Sequence, residues 1–453
     1  MTNTHTRPPS SMKTFTVIWF GQLVSILGSR ITDFALGLWV LEQTGSITPF
    51  ALTFLWTLLP TIILSPFAGV IVDRWNRRTV MLLSDTGAAC GTLLVWILLS
   101  GGQLEVGYIY VIAFVKSALS VFQMPAYAAA IPSMVPHKHI GRANGMVQGA
   151  EAIALLLAPL IAGVLLSAIE LRGIILVDLA TFLVAFITLL FVQIPTIHTA
   201  DTNTQSESFR QALFNGWKYI LARPGILSLI LFFSFSNFLA GVLQVLVQPL
   251  ILSFANVTAL GFMLSLGSSG MLVGSILMGS WGGTKRRIHS VLGFHMVAVF
   301  AVILMGIRPS GLLITTGLFL VYFCMPIINA SHQTILNTKV NISMQGRVFA
   351  LTDMLASAAM PIGYVLAGPA VDYLFSPLVQ SDGRFRELFL FLVGTGTQRE
   401  IGLVLILIGS IGIFLTIAGY MYRPLRSIDD LPDANPPSGE FSHPAPIPKQ
   451  NAV

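Results

Sequence analysis

Gly69-Val-Ile-Val-Asp73-Arg74-Trp-Asn76-Arg77-Arg78 sets four charges within ten residues, between apolar runs at approximately 50–72 and 79–100. A helix crossing a bilayer needs about 20 mainly apolar residues, which is what flanks this charged turn on both sides. The same ruler, carried outward in both directions, gives twelve spans. Six lie at approximately 15–41, 50–72, 79–100, 107–130, 143–167 and 173–193. Six more lie at 226–252, 259–281, 288–307, 311–335, 348–374 and 401–422.

Composition agrees with this reading. The 453-residue chain is 54% hydrophobic and 10% charged, against about 25% charged in an average soluble domain. Its mean hydropathy is +0.80. A soluble chain of this length would form roughly three domains, and so few charges could not solvate them. The first apolar run is too long for a signal-peptide core and no small-residue cleavage site follows it, so it reads as a retained helix. Cys90 and Cys324 sit inside apolar runs and imply no disulfide framework.

The cations orient the chain. With the N-terminus inside, 18 of the 25 Lys and Arg residues fall in inside segments and 5 in outside loops, while Arg30 and Lys116 lie within spans. That is a positive-inside asymmetry, and it predicts a multi-pass protein of the cytoplasmic membrane with both termini cytoplasmic. The net charge of +6 therefore calls for no nucleic-acid partner.

Six spans precede the polar segment 194–225 and six follow it. The expected organisation is a cytoplasmic N-tail (1–14), a six-helix half (15–193), a linker carrying an amphipathic helix at Phe209–Leu221 (194–225), a second six-helix half (226–422) and a disordered Pro- and Asp-rich cytoplasmic tail (423–453). Phe385–Val393 is expected at the outer interface. Weak echoes link the halves: the charged turn at Asp73 has a counterpart at Thr284-Lys285-Arg286-Arg287. Span 5, with Gly141-Arg142, Ala158-Pro159 and Ala162-Gly163, resembles span 11, with Gly346-Arg347, Met360-Pro361 and Ala367-Gly368. Doubled six-helix units built from 3+3 repeats form one large class of secondary transporter.

Polar groups within spans are costly and so informative. Spans 1, 4, 7 and 10 hold most of them: Gln22, Arg30 and Asp33; Lys116 and Gln123; Asn237, Gln244 and Gln248; Asn329, His332 and Gln333. Helical stripes of steps 3 and 4 recur at Lys116-Ser120-Gln123-Tyr127, Asn237-Gly241-Gln244-Gln248 and Tyr322-Pro326-Asn329-Gln333. Taken together, these four helices are expected to line a central substrate cavity, although any single amide could equally bridge two helices. Asp33 and Lys116 lie 8 and 9 residues from the outer ends of their spans. Both are therefore about 12–14 Å deep, where an ion pair could form. Arg30 is one turn from Asp33. Asp33, Lys116, Arg30, Glu151 and Asp353 are the candidate proton-coupling groups; Asp178 is a weaker candidate. A static pair holding two helices together is the competing reading for Asp33 and Lys116.

The loop at Gly69, Asp73, Arg74, Arg77 and Arg78 resembles the signature loop of the major facilitator superfamily, with Asn76 standing where that pattern has a second Gly. The resemblance covers about residues 15–422. Gly21-Gln22-Leu-Val-Ser25, Met124-Pro125-Ala126-Tyr127, Gln345-Gly346-Arg347-Val348-Phe349-Ala350-Leu351-Thr352 and Met360-Pro361-Ile362-Gly363 are similar to its macrolide-efflux and drug-efflux branch. Gly149, Ala158, Pro159, Ala162 and Gly163 resemble the superfamily's antiporter motif, with Ala158 in place of Gly. Lys116 stands where drug–proton antiporters usually have Arg. The resemblance implies the major facilitator fold, a loop that latches the two halves, and export of hydrophobic or amphipathic small molecules by proton antiport and alternating access.

The expected partners are a small-molecule substrate, protons and the lipid bilayer, with the chain acting as a monomer. No cofactor or metal site is expected, since the His residues lack ligand spacing. No Gly-Lys-Ser/Thr phosphate loop occurs, so an enzyme or ATP-binding subunit is not expected. Two alternatives stay open. One is a dedicated exporter of a single secreted metabolite such as a siderophore or peptide; the other is a non-transporting receptor or assembly factor on the same fold.

Overall fold

In the computed structural model, residues 12–191, 209–380, 393 and 398–434 are described. The described chain is helical throughout. The first half comprises α1 (Met12–Thr44), α2 (Ile47–Arg74), α3 (Arg77–Ser100), α4 (Val106–Met134) and α5 (Ile140–Phe191). After α6 (Phe209–Leu221), the second half comprises α7 (Pro224–Leu252), α8 (Val257–Trp281), α9 (Arg287–Ile307), α10 (Gly311–Lys339), α11 (Ile342–Pro369) and α12 (Glu400–Met421).

Eleven helices among the described residues are long and apolar enough to span a membrane. The difference from twelve is local. Spans 5 and 6 form the single run α5, which is broken at Glu170 (φ 56°, ψ −179°). A left-handed φ at a non-Gly residue cannot continue a helix, so α5 is two arms, 140–169 and 171–191, which supply spans 5 and 6. The fold is therefore the expected one: an all-α membrane protein of two six-helix halves.

Polar side chains set several helix ends. Asn76 caps α3, its Oδ1 accepting from the Arg78 N–H at 3.0 Å and the Thr79 N–H at 3.4 Å. Asn256 caps α8 and Asn341 caps α11 in the same manner. This fits the preference of Asn for N-caps. It also explains why Asn is suited to position 76, where the family pattern has Gly.

The tail expectation is corrected at its start. Residues 423–434 pack against the ends of α9 and α10. The Asp429 carboxylate accepts from the Ile288 N–H at 2.9 Å, and Arg286 pairs with Asp430 at 3.0 Å. Lys339 Nζ donates to the carbonyls of Asp429 and Leu431 and to the Asp433 carboxylate at 2.7 Å. Acidic composition suggested disorder, but these acids meet a helix N-terminus and a nearly buried ammonium, both of which favour an anion. The remainder of the tail, 192–208, and Phe385–Leu392 lie outside the described residues.

Helix order defines two faces of the bundle. The termini face carries the start of α1 and the end of α12; the far face carries the turns between α1 and α2 and between α7 and α8. Among the described residues four hydrophobic clusters fill the bundle, and one of them joins the halves. It brings Phe50 and Ala51 of α2 together with Val242 and Leu246 of α7 and Tyr364 and Ala367 of α11, all toward the far face. At the termini face each half keeps its own core, around Phe15, Met81 and Leu189 in one and Ile226, Leu292 and Leu336 in the other. The halves are therefore sealed together at the far face and separate at the termini face.

Candidate functional site

Two helix pairs make the seal. The first arm of α5 packs on α8. A Cβ on Gly261 would overlap the Pro159 carbonyl, and one on Gly163 would lie 2.8 Å from the Val257 carbonyl. Thr258 Oγ1 donates to the Gly163 carbonyl at 3.2 Å. The antiporter-like residues thus form a backbone-to-backbone contact between the halves, which only small residues allow. The second pair is α2 on α11, where a Cβ on Gly368 would strike the Thr48 backbone. Spans 2 and 8, and spans 5 and 11, correspond in the two halves, so the two contacts exchange under the internal repeat.

One carboxylate ties the second contact. Asp372 lies in a π-helical stretch, Ala370–Phe375, that extends α11. Its Oδ2 accepts from Ser46 Oγ at 2.7 Å, the Thr48 N–H at 3.0 Å and Thr48 Oγ1 at 2.7 Å. It caps α2 from the opposite half, where charge and helix dipole attract. Asp372→Ala should shift the equilibrium away from far-face closure by about 1–2 kcal/mol, the range of a lost cap or helix–charge contact. Distances between spin labels on α2 and α11 near this face would report it. An unchanged distance distribution would rule the contact out as a contributor.

Between the separated ends, the first half presents charge. Lys116 Nζ pairs with Asp33 Oδ1 at 3.1 Å, with the lysine side chain 12% and the aspartate 53% exposed. Gly91 makes room for the lysine stem, since a Cβ there would lie 3.3 Å from Lys116 Cγ. Arg30 does not join Asp33 but pairs with Glu151 of α5 at 3.1 Å. The two ion pairs thus link α1 to α4 and α1 to α5. Asp353 is exposed on α11 and belongs to neither pair.

Three expected cavity residues are placed elsewhere. Gln22 is buried and turns to Asp85 of α3, its Nε2 donating to Asp85 Oδ2 at 3.1 Å. Gln123 joins them, donating to Asp85 Oδ1 at 2.5 Å and to Gln22 Oε1 at 3.1 Å. Tyr127 is buried in the termini-face core of the first half. These three hold the half together rather than line its opening, because a carboxylate on α3 draws the amides inward. Asp85 was not singled out as a site residue, and Asp178 only as a weaker candidate. An ionisable group within a span is the signal that identifies both.

The second half presents amides and rings. Gln244 is exposed and its Oε1 accepts from the Tyr364 hydroxyl at 2.7 Å. Asn329 and Gln333 are exposed one turn apart on α10; Asn237 and Tyr322 are half-buried. His332 stacks on Phe233, ring centroids 3.9 Å apart. The buried Gln248 Oε1 and His332 Nε2 have no hydrogen-bond partner. A different histidine, His295, bridges Ser236 of α7 at 3.0 Å and Thr416 of α12 at 2.7 Å, and that triad stays inside the half.

In the charged turn, Arg78 Nε and Nη2 donate to the carbonyls of Leu189 and Leu190 at 2.9 and 2.7 Å. The guanidinium thereby satisfies the end of α5, the position where a cation meets a helix dipole favourably. The side chains of Asp73 and Arg74, and the surroundings of Gly69, are not among those described.

Two six-helix halves that meet at one face, with half-exposed ion pairs in one and exposed amides in the other, have the architecture of a multi-pass membrane transporter. The family model of the Major Facilitator Superfamily matches residues 18–364, and the protein belongs to that superfamily. Macrolide efflux protein A of Streptococcus pyogenes is 28% identical over 369 residues, covering 79% of this chain and 89% of that protein. Multidrug efflux pump Tap of Mycolicibacterium fortuitum is 23% identical over 379 residues, covering 82% and 91% respectively. Among solved structures, the nucleoside transporter NupG superimposes with a TM-score of 0.68 at 14% identity, covering 90% of this chain and 98% of that one; the likeness is one of fold.

Proposed function

We propose that this protein exports hydrophobic or amphipathic, drug- or macrolide-like small molecules across the cytoplasmic membrane in exchange for protons. The observation that carries this reading is the Asp33–Lys116 pair. A half-exposed carboxylate beside a nearly buried ammonium is a place where a proton can be taken up and released. The names of the relatives, macrolide efflux and multidrug efflux, support the substrate class. The cation asymmetry supports assigning the termini face to the cytoplasm. With that assignment, the arrangement described is open to the cytoplasm and sealed outside. Substrate enters between the termini-face ends of the halves and rests on the exposed Gln244, Asn329 and Gln333 opposite the ion pairs. Rocking of one half on the other then breaks the seals between α5 and α8 and between α2 and α11, and exposes the substrate outside. Proton entry through Asp33 returns the cycle. The carrier works as a monomer.

The test is a susceptibility panel of macrolides and other amphipathic drugs on cells with and without the protein, repeated with a proton uncoupler. Expected is a rise in resistance to some of these compounds that the uncoupler abolishes, with intracellular drug rising in parallel. Equal susceptibility of both strains across the panel would favour a dedicated metabolite carrier.

A further inference from the structure

The Asp33–Lys116 pair has a third member on the second arm of α5. Asp178 is 3% exposed, and its two oxygens are held by neutral hydroxyls: Ser29 Oγ donates to Oδ1 at 3.2 Å and Thr92 Oγ1 to Oδ2 at 3.3 Å. The buried Thr32 hydroxyl faces the same carboxylate. Lys116 and Asp178 are near enough for charge–charge attraction, and Asp33 is the other charged group that acts on Asp178. Space is kept for both groups. Gly28 lies against Asp178, where a Cβ would sit 3.1 Å from Oδ1, just as Gly91 lies against the lysine stem.

Lys116 thus has two carboxylates of opposite exposure within electrostatic reach. Asp33 is open to the cavity; Asp178 is closed off behind it. A buried charge without a partner is costly. If Asp33 gains a proton, the lysine loses its counter-ion, and the only other carboxylate acting on it is Asp178.

We propose that Asp178 is a positioning residue of the proton relay, the buried carboxylate to which the Lys116 ammonium turns when Asp33 takes up a proton. This rests on the proton-exchange reading above. In the step, one O–H bond forms on an Asp33 carboxyl oxygen. The hydrogen bond from the ammonium to Asp33 breaks and one to Asp178 forms in its place. Lys116 stays protonated throughout, and its ammonium is never left without a carboxylate partner. Proton release runs the sequence backwards. Because the ammonium moves from the helix pair α1–α4 towards α5, protonation changes which helices of the half are tied together.

The test uses the full-length protein in proteoliposomes with a radiolabelled macrolide as probe. Two quantities are read: transport driven by an imposed pH gradient, and substrate exchange at equal pH. Asp178→Asn is expected to lower gradient-driven transport about 10- to 100-fold while exchange stays within about twofold, a loss in the usual range of a coupling free energy. The midpoint of its pH profile should differ from that of the wild type, because Lys116 then has a single carboxylate partner instead of two. Asp178→Glu should restore both. Wild-type behaviour of Asp178→Asn in both assays, or an equal fall in both that Glu does not rescue, would overturn the assignment. A wild-type protein whose transport ignores the pH gradient would overturn the proton-exchange reading itself, and this inference with it.

Discussion

Asp33→Asn is expected to reduce pH-driven transport on the order of 100-fold, as befits the loss of an intramembrane ionisable group on an ion pathway. Asn keeps the shape of Asp but cannot exchange a proton, and it leaves Lys116 paired as though Asp33 were permanently protonated. Exchange of substrate at equal pH needs no net proton movement and should survive within about threefold, since only the coupled step is removed. The contrast between the two assays is the content of the prediction. If the pair merely fastened α1 to α4, both assays would fall together and thermal stability would fall with them. Membrane vesicles containing the variant, assayed in both modes, separate these outcomes.

A second large effect is expected at Gly261. A methyl group there runs into the carbonyl of Pro159, and backbone on both sides leaves nothing flexible to give way. Overpacking of this kind costs about 1–3 kcal/mol, and here the cost falls only on the conformation sealed at the far face. Gly261→Ala should therefore shift the protein toward the conformation open at that face, and Gly261→Leu should hold it there. Transport falls more than about tenfold for Leu, which corresponds to at least about 1.4 kcal/mol, while the helical content and the yield of folded protein stay as in the wild type. Accessibility of an introduced cysteine near Thr258 to an impermeant thiol reagent would rise. Unchanged accessibility and unchanged transport would show that the α5–α8 contact does not open during the cycle.

The fold was legible because a bilayer imposes one length on every span, and a count of apolar residues measures that length directly. The break between spans 5 and 6 was legible too, as Glu170 and Arg172 in an apolar stretch, although the left-handed backbone at Glu170 was not. The depth of Asp33 and Lys116 could be counted off in residues, and the two groups do meet. What sequence could not supply was the direction in which each helix turns its faces. Gln22 and Asp33 are eleven residues apart, about three full turns, and so share a face of α1. One is nevertheless buried against Asp85 of α3, and the other is half-exposed beside Lys116 of α4, because different neighbours meet α1 at the two depths. The same limit hid Asp85 and left Asp178 a weaker candidate. Counting polar residues per helix rewarded amides in clusters, whereas the cost of burial is greatest for single carboxylates. Asp372 lay in what read as the end of a span, and its role in capping α2 depends on a contact between residues more than 300 positions apart.

The central claim, export driven by proton entry, is tested most directly by following both fluxes at once in everted membrane vesicles acidified inside. Addition of a substrate macrolide should produce accumulation of the drug inside the vesicle together with a measurable outward movement of protons, and an uncoupler should abolish both. Drug accumulation with no proton movement, unaffected by the uncoupler, would contradict the account.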